Sequence, residues 1–238
     1  MGYGSSTYSG IKNYNTYIQS TYLKSLSFQE LESLLKEKAI NISGNILINN
    51  REFFNLCNKY FMDDTPNNPY REIQKHYFIG LYNQCLEEKN DNTINIYLLM
   101  FYLIPILNND LNQKCKAFYI CFKHFLGGSI SGEQLKSIFN NYLCWNLRVA
   151  VNNIILFIES ESERCEVKKL YDTILTEENI NRLNKSTILL IAGNEKDLDK
   201  KSIVIDDIFL IVKKNEYIFN LWSLLLEMWN RYRPLDER

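Results

Sequence analysis

The sequence contains few of the residues that interrupt helices. Among 238 residues there are only 9 Gly and 4 Pro, whereas β-sandwiches and barrels with many tight turns need more of both. Hydrophobic residues make up 46% of the chain and charged residues 23%, which are ordinary values for a globular protein. The scarcity of turn-forming residues therefore predicts an all-α protein.

An excess of charge of either sign is also lacking. The chain has 27 Lys and Arg residues against 28 Asp and Glu residues, which gives a formal net charge of −1. A protein that binds nucleic acid through counterion release needs a basic surface, and a chain that charge keeps disordered needs a large net charge. The balance argues against both classes, and we expect no nucleic-acid partner.

Several site signatures are missing as well. The six cysteines include no CxxC pair, and the polar start MGYGSSTYSG does not resemble a signal peptide, so we expect reduced thiols and a cytoplasmic location. The most apolar run, IYLLMFYLIPIL (96–107), is shorter than the roughly 18 residues of a membrane span. Cys115, Cys121 and His124 lack the spacing and the fourth ligand of a zinc site. No nucleophile or phosphate-loop motif is present, and we expect no enzymatic activity.

One unit, in contrast, occurs four times along the chain. A helical stripe leads into a polar break, a single β-branched residue follows between polar ones, and a second helical stripe begins. We predict that each unit is a helix–loop–helix and that its loop pairs with a neighbouring loop through a short β-bridge. The predicted bridge residues are Ile48, Ile94, Ile130 and Ile203.

These units resemble the EF-hand superfamily, in particular proteins of the calcineurin B and neuronal calcium sensor type. The segments LYNQCLEEKNDNTINIYLLMFYL and KAFYICFKHFLGGSISGEQLKSIF resemble the helix, loop and helix of single hands. Ile94 and Ile130 are 36 residues apart, which is close to the repeat of consecutive hands. The resemblance covers residues 26–143 and 186–216, and it implies four degenerate hands in two lobes with short β-bridges between the loops.

The resemblance also provides a test of calcium binding. A calcium loop needs oxygen ligands at positions 1, 3, 5 and 9 and a bidentate Glu at position 12. With Ile48 at position 8, the first loop spans 41–52, and only one of its ligands carries a charge, which predicts a weak site. The predicted ligands are Asn41, Ser43, Asn45, Asn49 and Glu52.

The other three loops place unsuitable side chains at the ligand positions. They span residues 87–98, 123–134 and 196–207, and lysines replace acidic ligands in all three. These lysines are Lys89, Lys123, Lys196 and Lys200. We therefore expect either no cofactor or calcium at the single weak site.

The spacing of the units predicts how the chain is divided. Ile130 and Ile203 are 73 residues apart, about two repeats, which predicts a helical insertion at about 144–182. Within it, the acidic run ESERCE is interpreted as a solvated surface. We predict a core built around Phe53, Phe54, Phe118, Phe122 and Phe139. The predicted parts are a flexible tail at 1–25, an N-terminal lobe at 26–110, a C-terminal lobe at 111–216 with the insertion, and an amphipathic helix at 217–238.

The two ends of the sequence carry the remaining candidates. The start MGYGSS meets the minimal pattern for N-myristoylation at Gly2, which would give peripheral membrane contact, although the bulky Tyr3 argues against it. Near the other end, apolar residues at helical spacing predict a helix that fills the protein's own groove, docks a partner, or is a last core helix. These residues are Ile218, Leu221, Trp222, Leu225 and Trp229.

Together these patterns predict a non-enzymatic adaptor or regulatory subunit. It would bind a partner's amphipathic helix in a hydrophobic groove, largely independently of calcium. Two alternatives stay open: a weak calcium sensor that uses only residues 41–52, and the regulatory subunit of an enzyme complex such as a phosphatase.

Overall fold

The computed structural model describes residues 25–62, 71–86, 92–125, 129–156, 158 and 160–232. These residues are mostly helical, with two small antiparallel sheets, so the predicted helical class is confirmed at this level. They form two compact units, one within residues 17–129 and the other within residues 130–238. The predicted tail at 1–25, apart from Ser25, lies outside the described residues, as does Gly2.

The N-terminal unit combines five described helices with one three-stranded sheet, whose strand order is β1-β2-β3. A five-residue π-helical turn, Cys57–Phe61, extends the second helix. Its elements are α1 (Phe28–Lys38), β1 (Ile40–Ile42), β2 (Asn45–Asn49), α2 (Asn50–Leu56), α3 (Arg71–Cys85), β3 (Thr93–Asn95), α4 (Ile96–Leu103) and α5 (Leu111–Phe125).

The C-terminal unit combines six described helices with one two-stranded sheet. Short 3-10 turns, Leu189–Ile191 and Glu216–Phe219, precede its fourth and sixth helices. Its elements are β4 (Ile130–Ser131), α6 (Gly132–Leu156), α7 (Glu161–Ile174), α8 (Glu177–Ile188), α9 (Glu195–Lys200), β5 (Ser202–Ile203), α10 (Ile205–Lys214) and α11 (Leu221–Tyr232).

The first helix begins at a cap that the sequence encodes. The Ser27 hydroxyl accepts a hydrogen bond from the Glu30 amide at 3.3 Å, and the Glu30 carboxylate accepts one from the Ser27 amide at 2.7 Å. This reciprocal pair satisfies two amide donors that the helix itself cannot satisfy. The apolar stripe then buries Phe28, Leu31 and Leu35, as its helical spacing predicts.

Aromatic side chains form the core of the N-terminal unit. The Phe53 ring lies 5.4 Å from the Tyr82 ring, and the Phe101 ring lies 4.6 Å from the Phe118 ring and 5.0 Å from the Phe122 ring. The predicted core is confirmed for Phe53, Phe118 and Phe122, and for Phe139 in the other unit, all of which are buried. Phe54 is half-buried, and its ring lies 5.1 Å from the Phe53 ring and 5.7 Å from the Tyr82 ring, at the edge of this core.

The division between the units differs from the predicted one. It falls between Ser129 and Ile130, whereas the predicted lobes meet between residues 110 and 111. The reason is that α5 packs on α4 through Phe101, Phe118 and Phe122. The predicted entering helix of the third hand therefore belongs to the N-terminal unit.

The predicted insertion is helical throughout most of its length. Its first part is the continuation of α6, because residues 133–156 contain neither Gly nor Pro to end the helix. The acidic run then starts α7, where Ser160 caps the helix by accepting a hydrogen bond from the Glu163 amide at 3.4 Å. Glu161 and Glu166 are exposed, and Glu161 in the first turn is stabilised by the positive end of the helix dipole.

Candidate functional site

The loops meet at the four isoleucines that the sequence pattern indicates. Ile48 pairs with Ile94 in the antiparallel register of β2 and β3, and Ile130 pairs with Ile203 in the register of β4 and β5. All four side chains are at least 98% buried. The predicted β-bridges between neighbouring loops are therefore confirmed, residue by residue.

The residue after each isoleucine starts the outgoing helix. Asn49 accepts a hydrogen bond from the Glu52 amide at 2.9 Å, and Asn95 accepts one from the Tyr97 amide, also at 2.9 Å. Ser131 and Gln134 form a reciprocal pair, with the Gln134 amide donating to the Ser131 hydroxyl at 3.2 Å. In each case a side-chain oxygen satisfies an amide of the first helical turn.

In the fourth helix–loop–helix repeat, the start of the outgoing helix is capped in a different way. Val204 cannot cap with its side chain, so its amide donates instead to the Asp207 carboxylate at 3.0 Å. The second carboxylate oxygen of Asp207 pairs with the Lys201 ammonium at 3.2 Å. Asp207, which the family pattern would make a bidentate calcium ligand, is thus engaged with protein groups in this structure.

The first loop forms a β-hairpin. Strands β1 and β2 pair from Ile40–Leu47 to Ile42–Asn45, and Ser43 and Gly44 make the turn with φ angles of 52° and 85°. Two consecutive left-handed residues are the signature of the type I′ turn that joins two-residue hairpins. The Gly44 amide also donates to the Asn41 side-chain oxygen at 3.1 Å.

This hairpin separates the predicted calcium ligands. Asn41 lies opposite Ile46, whereas Asn45 lies opposite Ile42, so Asn41 is on one face of the hairpin and Asn45 on the other. Asn49 shares the face of Asn45, but its oxygen caps α2. Ser43 is in the turn and Glu52 is half-buried on α2. The hairpin therefore does not gather the five residues around one point, and calcium binding here stays a prediction.

The loops with lysines at ligand positions are only partly described. Lys89 lies outside the described residues, and Lys123 is exposed in the last turn of α5. The fourth loop contains the short helix α9, which carries Lys196 and Lys200 and buries Leu198 completely. This apolar side chain lies beside Gly132, at the start of α6.

The third and fourth helix–loop–helix repeats are in close contact at Gly132. The Gly132 amide donates to the Lys201 carbonyl at 2.9 Å, and a Cβ atom at Gly132 would lie 1.9 Å from the Leu198 carbonyl oxygen. Only glycine permits this approach. The start of α6 and the end of α9 are consequently held against each other beside the Ile130–Ile203 bridge.

Charged side chains reinforce this region. The Glu195 carboxylate lies 3.2 Å from the Lys185 ammonium and 3.3 Å from the Lys136 ammonium. Hydrogen bonds from Lys185 and then Lys136 hold the pKa of Glu195 below its usual value. The carboxylate links α6, α8 and α9, although exposed pairs of this kind contribute little to stability.

Near the C-terminus, the predicted amphipathic helix packs inside its own unit. α11 contacts α6, α7 and α8. Ile218 is fully buried but lies in the 3-10 turn before the helix, Leu225 is buried, and Trp229 is half-buried with its ring 6.4 Å from the Tyr171 ring. The structure does not describe the side chains of Leu221 and Trp222.

Two polar contacts hold this segment in place. The Tyr142 hydroxyl donates to the Ile218 carbonyl at 3.2 Å, and the Arg231 guanidinium donates to the Ser186 hydroxyl at 3.1 Å. Burial raises the pKa of Tyr142 well above its ordinary value, so the phenol keeps its proton for this bond. We define the α11 groove as the surface of α6, α7 and α8 on which α11 lies.

One cluster of polar and aromatic side chains in the N-terminal unit could not be predicted from the sequence pattern. The Tyr97 and His124 rings are stacked with centroids 3.9 Å apart, and the Tyr97 hydroxyl donates to the Glu32 carboxylate at 2.7 Å. Burial pushes the pKa of Glu32 upward, but hydrogen bonds from Lys36 and Tyr97 outweigh it and leave the pKa below its usual value. Because these residues come from α1, α4 and α5, no local spacing predicts their contact.

Neither similarity to known proteins nor a cluster of metal-binding side chains assigns a function to the described residues. Comparison of the chain with protein-family models, with curated proteins and with solved structures finds no match. Within the part of the chain that the structure describes, no three His, Cys, Asp or Glu side chains are close enough to hold a metal ion. No helix in that part has both the length and the apolar character of a membrane span.

Proposed function

We propose that the chain is a non-enzymatic adaptor of EF-hand type that binds an amphipathic helix in an apolar groove and needs no calcium. The observation that carries the proposal is the antiparallel pairing of Ile48 with Ile94 and of Ile130 with Ile203. The family resemblance implies a bridge of this kind between the loops of paired hands. The helix that leaves each bridge begins two residues after the isoleucine, as in a helix–loop–helix unit.

Independence from calcium is supported by the interior of the fourth loop. Leu198 is fully buried there, and Asp207 is bonded to the Val204 amide and paired with Lys201. A metal ion in this loop would have to displace both interactions. The loop is therefore stabilised by apolar burial and protein hydrogen bonds, which contribute without a metal.

The class of partner is inferred from α11. This helix buries Leu224, Leu225 and Met228 and exposes Leu226, which is the pattern of an amphipathic helix lying in a groove. Arg231, seven residues after Leu224, reaches the Ser186 hydroxyl beyond the end of the apolar stripe. We infer that a partner helix would present the same spacing of apolar residues followed by one basic residue, and would take the place of α11.

The test supplies α11 as a separate peptide. Leu225→Ala weakens the internal helix, and a peptide of residues 216–232 is then added in chelator while the Tm is followed. We expect the peptide to raise the Tm of Leu225→Ala, because it restores the buried leucine. The Tm of the unsubstituted protein should change much less, since its own helix is present at a high effective concentration.

Two controls make the result specific. Leu226→Ala changes the adjacent exposed residue and should leave α11 in its groove, so the peptide should have little effect on that variant. A scrambled peptide of the same composition should have no effect on either variant. If the peptide fails to stabilise Leu225→Ala, or does so only when calcium is added, the proposal is contradicted.

A further inference from the structure

Buried polar groups fix the short segment between α10 and α11 to the C-terminal unit. Asn215 is buried, and its side-chain amide donates to the Ile211 carbonyl at 2.9 Å. The Tyr217 hydroxyl donates to the Asn215 side-chain oxygen at 2.8 Å and lies 3.2 Å from the Thr187 hydroxyl of α8. We call residues 215–219 the anchor.

The second half of the anchor is held by the core of the unit. Ile218 and Phe219 are buried, and the Ile218 carbonyl accepts a hydrogen bond from the Tyr142 hydroxyl of α6 at 3.2 Å. Buried hydrogen bonds of this kind are lost only when the packing around them opens. The anchor should therefore open only together with the core of the unit.

The helix that follows is attached in a different way. Among the side chains that the structure describes, α11 has one polar contact with its groove, from the Arg231 guanidinium to the Ser186 hydroxyl at 3.1 Å. Both residues are exposed, and the ion-pair partner of Arg231 is Glu227 of α11 itself. Because an exposed polar contact contributes little, α11 is held mainly by its buried leucine and methionine side chains.

A single exposed residue, Asn220, joins the anchor to α11. Its backbone is extended, with φ −130° and ψ 107°, and its amide donates to the Tyr217 carbonyl at 3.0 Å. Its side-chain oxygen and its carbonyl accept hydrogen bonds from the Ser223 and Leu224 amides at 3.0 and 2.8 Å. Rotation about the N–Cα bond of Asn220 therefore leaves its amide with the anchor and carries both caps with α11.

We propose that α11 is a strap that leaves and re-enters its groove as one element, pivoting at Asn220 while the anchor stays in place. The inference rests on the proposed function, because an open strap is the state in which a partner helix can enter the groove. Opening exposes only the groove and the apolar face of α11, so it costs less free energy than unfolding the unit. The open fraction then sets the apparent affinity for the partner.

The experiment is native-state hydrogen exchange of the unsubstituted full chain, followed by NMR at increasing urea below the unfolding transition and without any peptide. It compares the Met228 and Trp229 amides of α11 with the Asn215 and Ile218 amides of the anchor. After correction for intrinsic rates, we expect the α11 amides to exchange at least about tenfold faster. Their exchange should also depend less on urea, because the opening exposes less surface.

A variant of the anchor separates the two motions. Tyr142→Phe removes the hydroxyl that bonds the Ile218 carbonyl, a contact that is present whether α11 is closed or open. We expect the two anchor amides to exchange at least about threefold faster in this variant. The two α11 amides should keep their rate, since their opening does not break this bond.

A variant of the strap gives the complementary result. Ser186→Ala removes the contact with Arg231, which is present only while α11 is closed. The α11 amides should therefore exchange about two- to fivefold faster. Ser162→Ala, at an exposed serine of α7, is the matched control and should leave the α11 amides unchanged.

The proposal is overturned if the α11 and anchor amides exchange at the same rate with the same urea dependence. Equal acceleration of both sets in Tyr142→Phe would also overturn it, because α11 would then open only with the whole unit. The result is distinguishable from failure of the adaptor function. If the peptide of residues 216–232 did not stabilise Leu225→Ala while the α11 amides exchanged separately, only the adaptor function would be contradicted.

Discussion

Single residues determine where the loops of this protein meet. Each bridge isoleucine is buried, while the residue after it is polar or exposed, such as Asn49 after Ile48 and Val204 after Ile203. A β-branched side chain favours the extended backbone of a bridge. The following residue then ends the strand by capping a helix, so a two-residue pattern fixes both the bridge and the helix start.

A substitution at one bridge residue tests this role. Ile203→Ala removes a buried side chain beside Ile130, and we expect it to lower the free energy of unfolding of the C-terminal unit by about 2–4 kcal/mol. The adjacent Val204→Ala is the control, because Val204 is 49% exposed and caps only through its backbone amide. Urea titration followed by circular dichroism would measure both; equal losses would contradict the account.

The stacked pair of Tyr97 and His124 leads to a prediction about pH. Burial lowers the pKa of His124 below its ordinary 6.5, Glu32 opposes this shift, and Lys36 and Lys123 reinforce it. The unfolded chain therefore binds more protons than the folded one between the two pKa values, so stability falls as the pH drops through about 6.5. His124→Gln should remove this part of the pH dependence.

The measurement is the Tm between pH 5 and pH 7.5. We expect the unsubstituted protein to gain more Tm over this range than His124→Gln does. His76→Gln replaces the other histidine of the sequence, which lies on α3 outside the Tyr97–His124 stack, and should follow the unsubstituted protein. A pH dependence that is unchanged in His124→Gln would show that the stack does not sense protonation.

At the level of elements, some features could be predicted from local pattern and others could not. The bridges follow from isolated isoleucines between polar residues, and the helices from their apolar spacing. The hairpin at 40–49 was not predicted, because Asn and Gly serve both a calcium loop and a type I′ turn. The left-handed φ angles of Ser43 and Gly44, which distinguish the two, are not visible in the sequence.

The C-terminal unit illustrates the same limit. The predicted insertion begins at about residue 144, but the residues on both sides of that point form one helix, α6, since no Gly or Pro interrupts it there. The segment predicted as the fourth loop includes α9, which begins with the Asp197 amide donating to the Asn194 side chain at 3.0 Å. Spacing predicts the correct bridge residue, Ile203, but five residues of the predicted loop, 196–200, are helical because of this cap.

The helix α11 gives the clearest prediction at this scale. Leu225→Ala should lower the free energy of unfolding by about 2–4 kcal/mol, because Leu225 is buried against the unit. Leu226→Ala, at an adjacent residue that is 42% exposed, should change it by less than about 0.5 kcal/mol. Thermal and urea unfolding of the two variants would test this. Similar small losses would mean that α11 does not belong to the core.

For the whole molecule, the balance of charges fits the proposed function. Calcium-binding loops concentrate carboxylates around the ion, whereas this chain has 28 acidic and 27 basic residues. In the fourth loop, Leu198 is buried and the Asp207 carboxylate is paired with the Lys201 ammonium. The fold is therefore expected to form fully without metal, with each unit stabilised by its own core and joined by its own bridge.

The most direct test follows the backbone amides of the bridges by two-dimensional NMR and hydrogen exchange. In chelator, we predict protected amides in both bridges, at Ile48 and Ile94 and at Ile130 and Ile203, and the same resonance positions after calcium is added. Glu52→Gln should give the same spectrum around these residues. Bridges that form only with calcium, or large calcium-induced shifts that disappear in Glu52→Gln, would contradict the account and favour a calcium sensor.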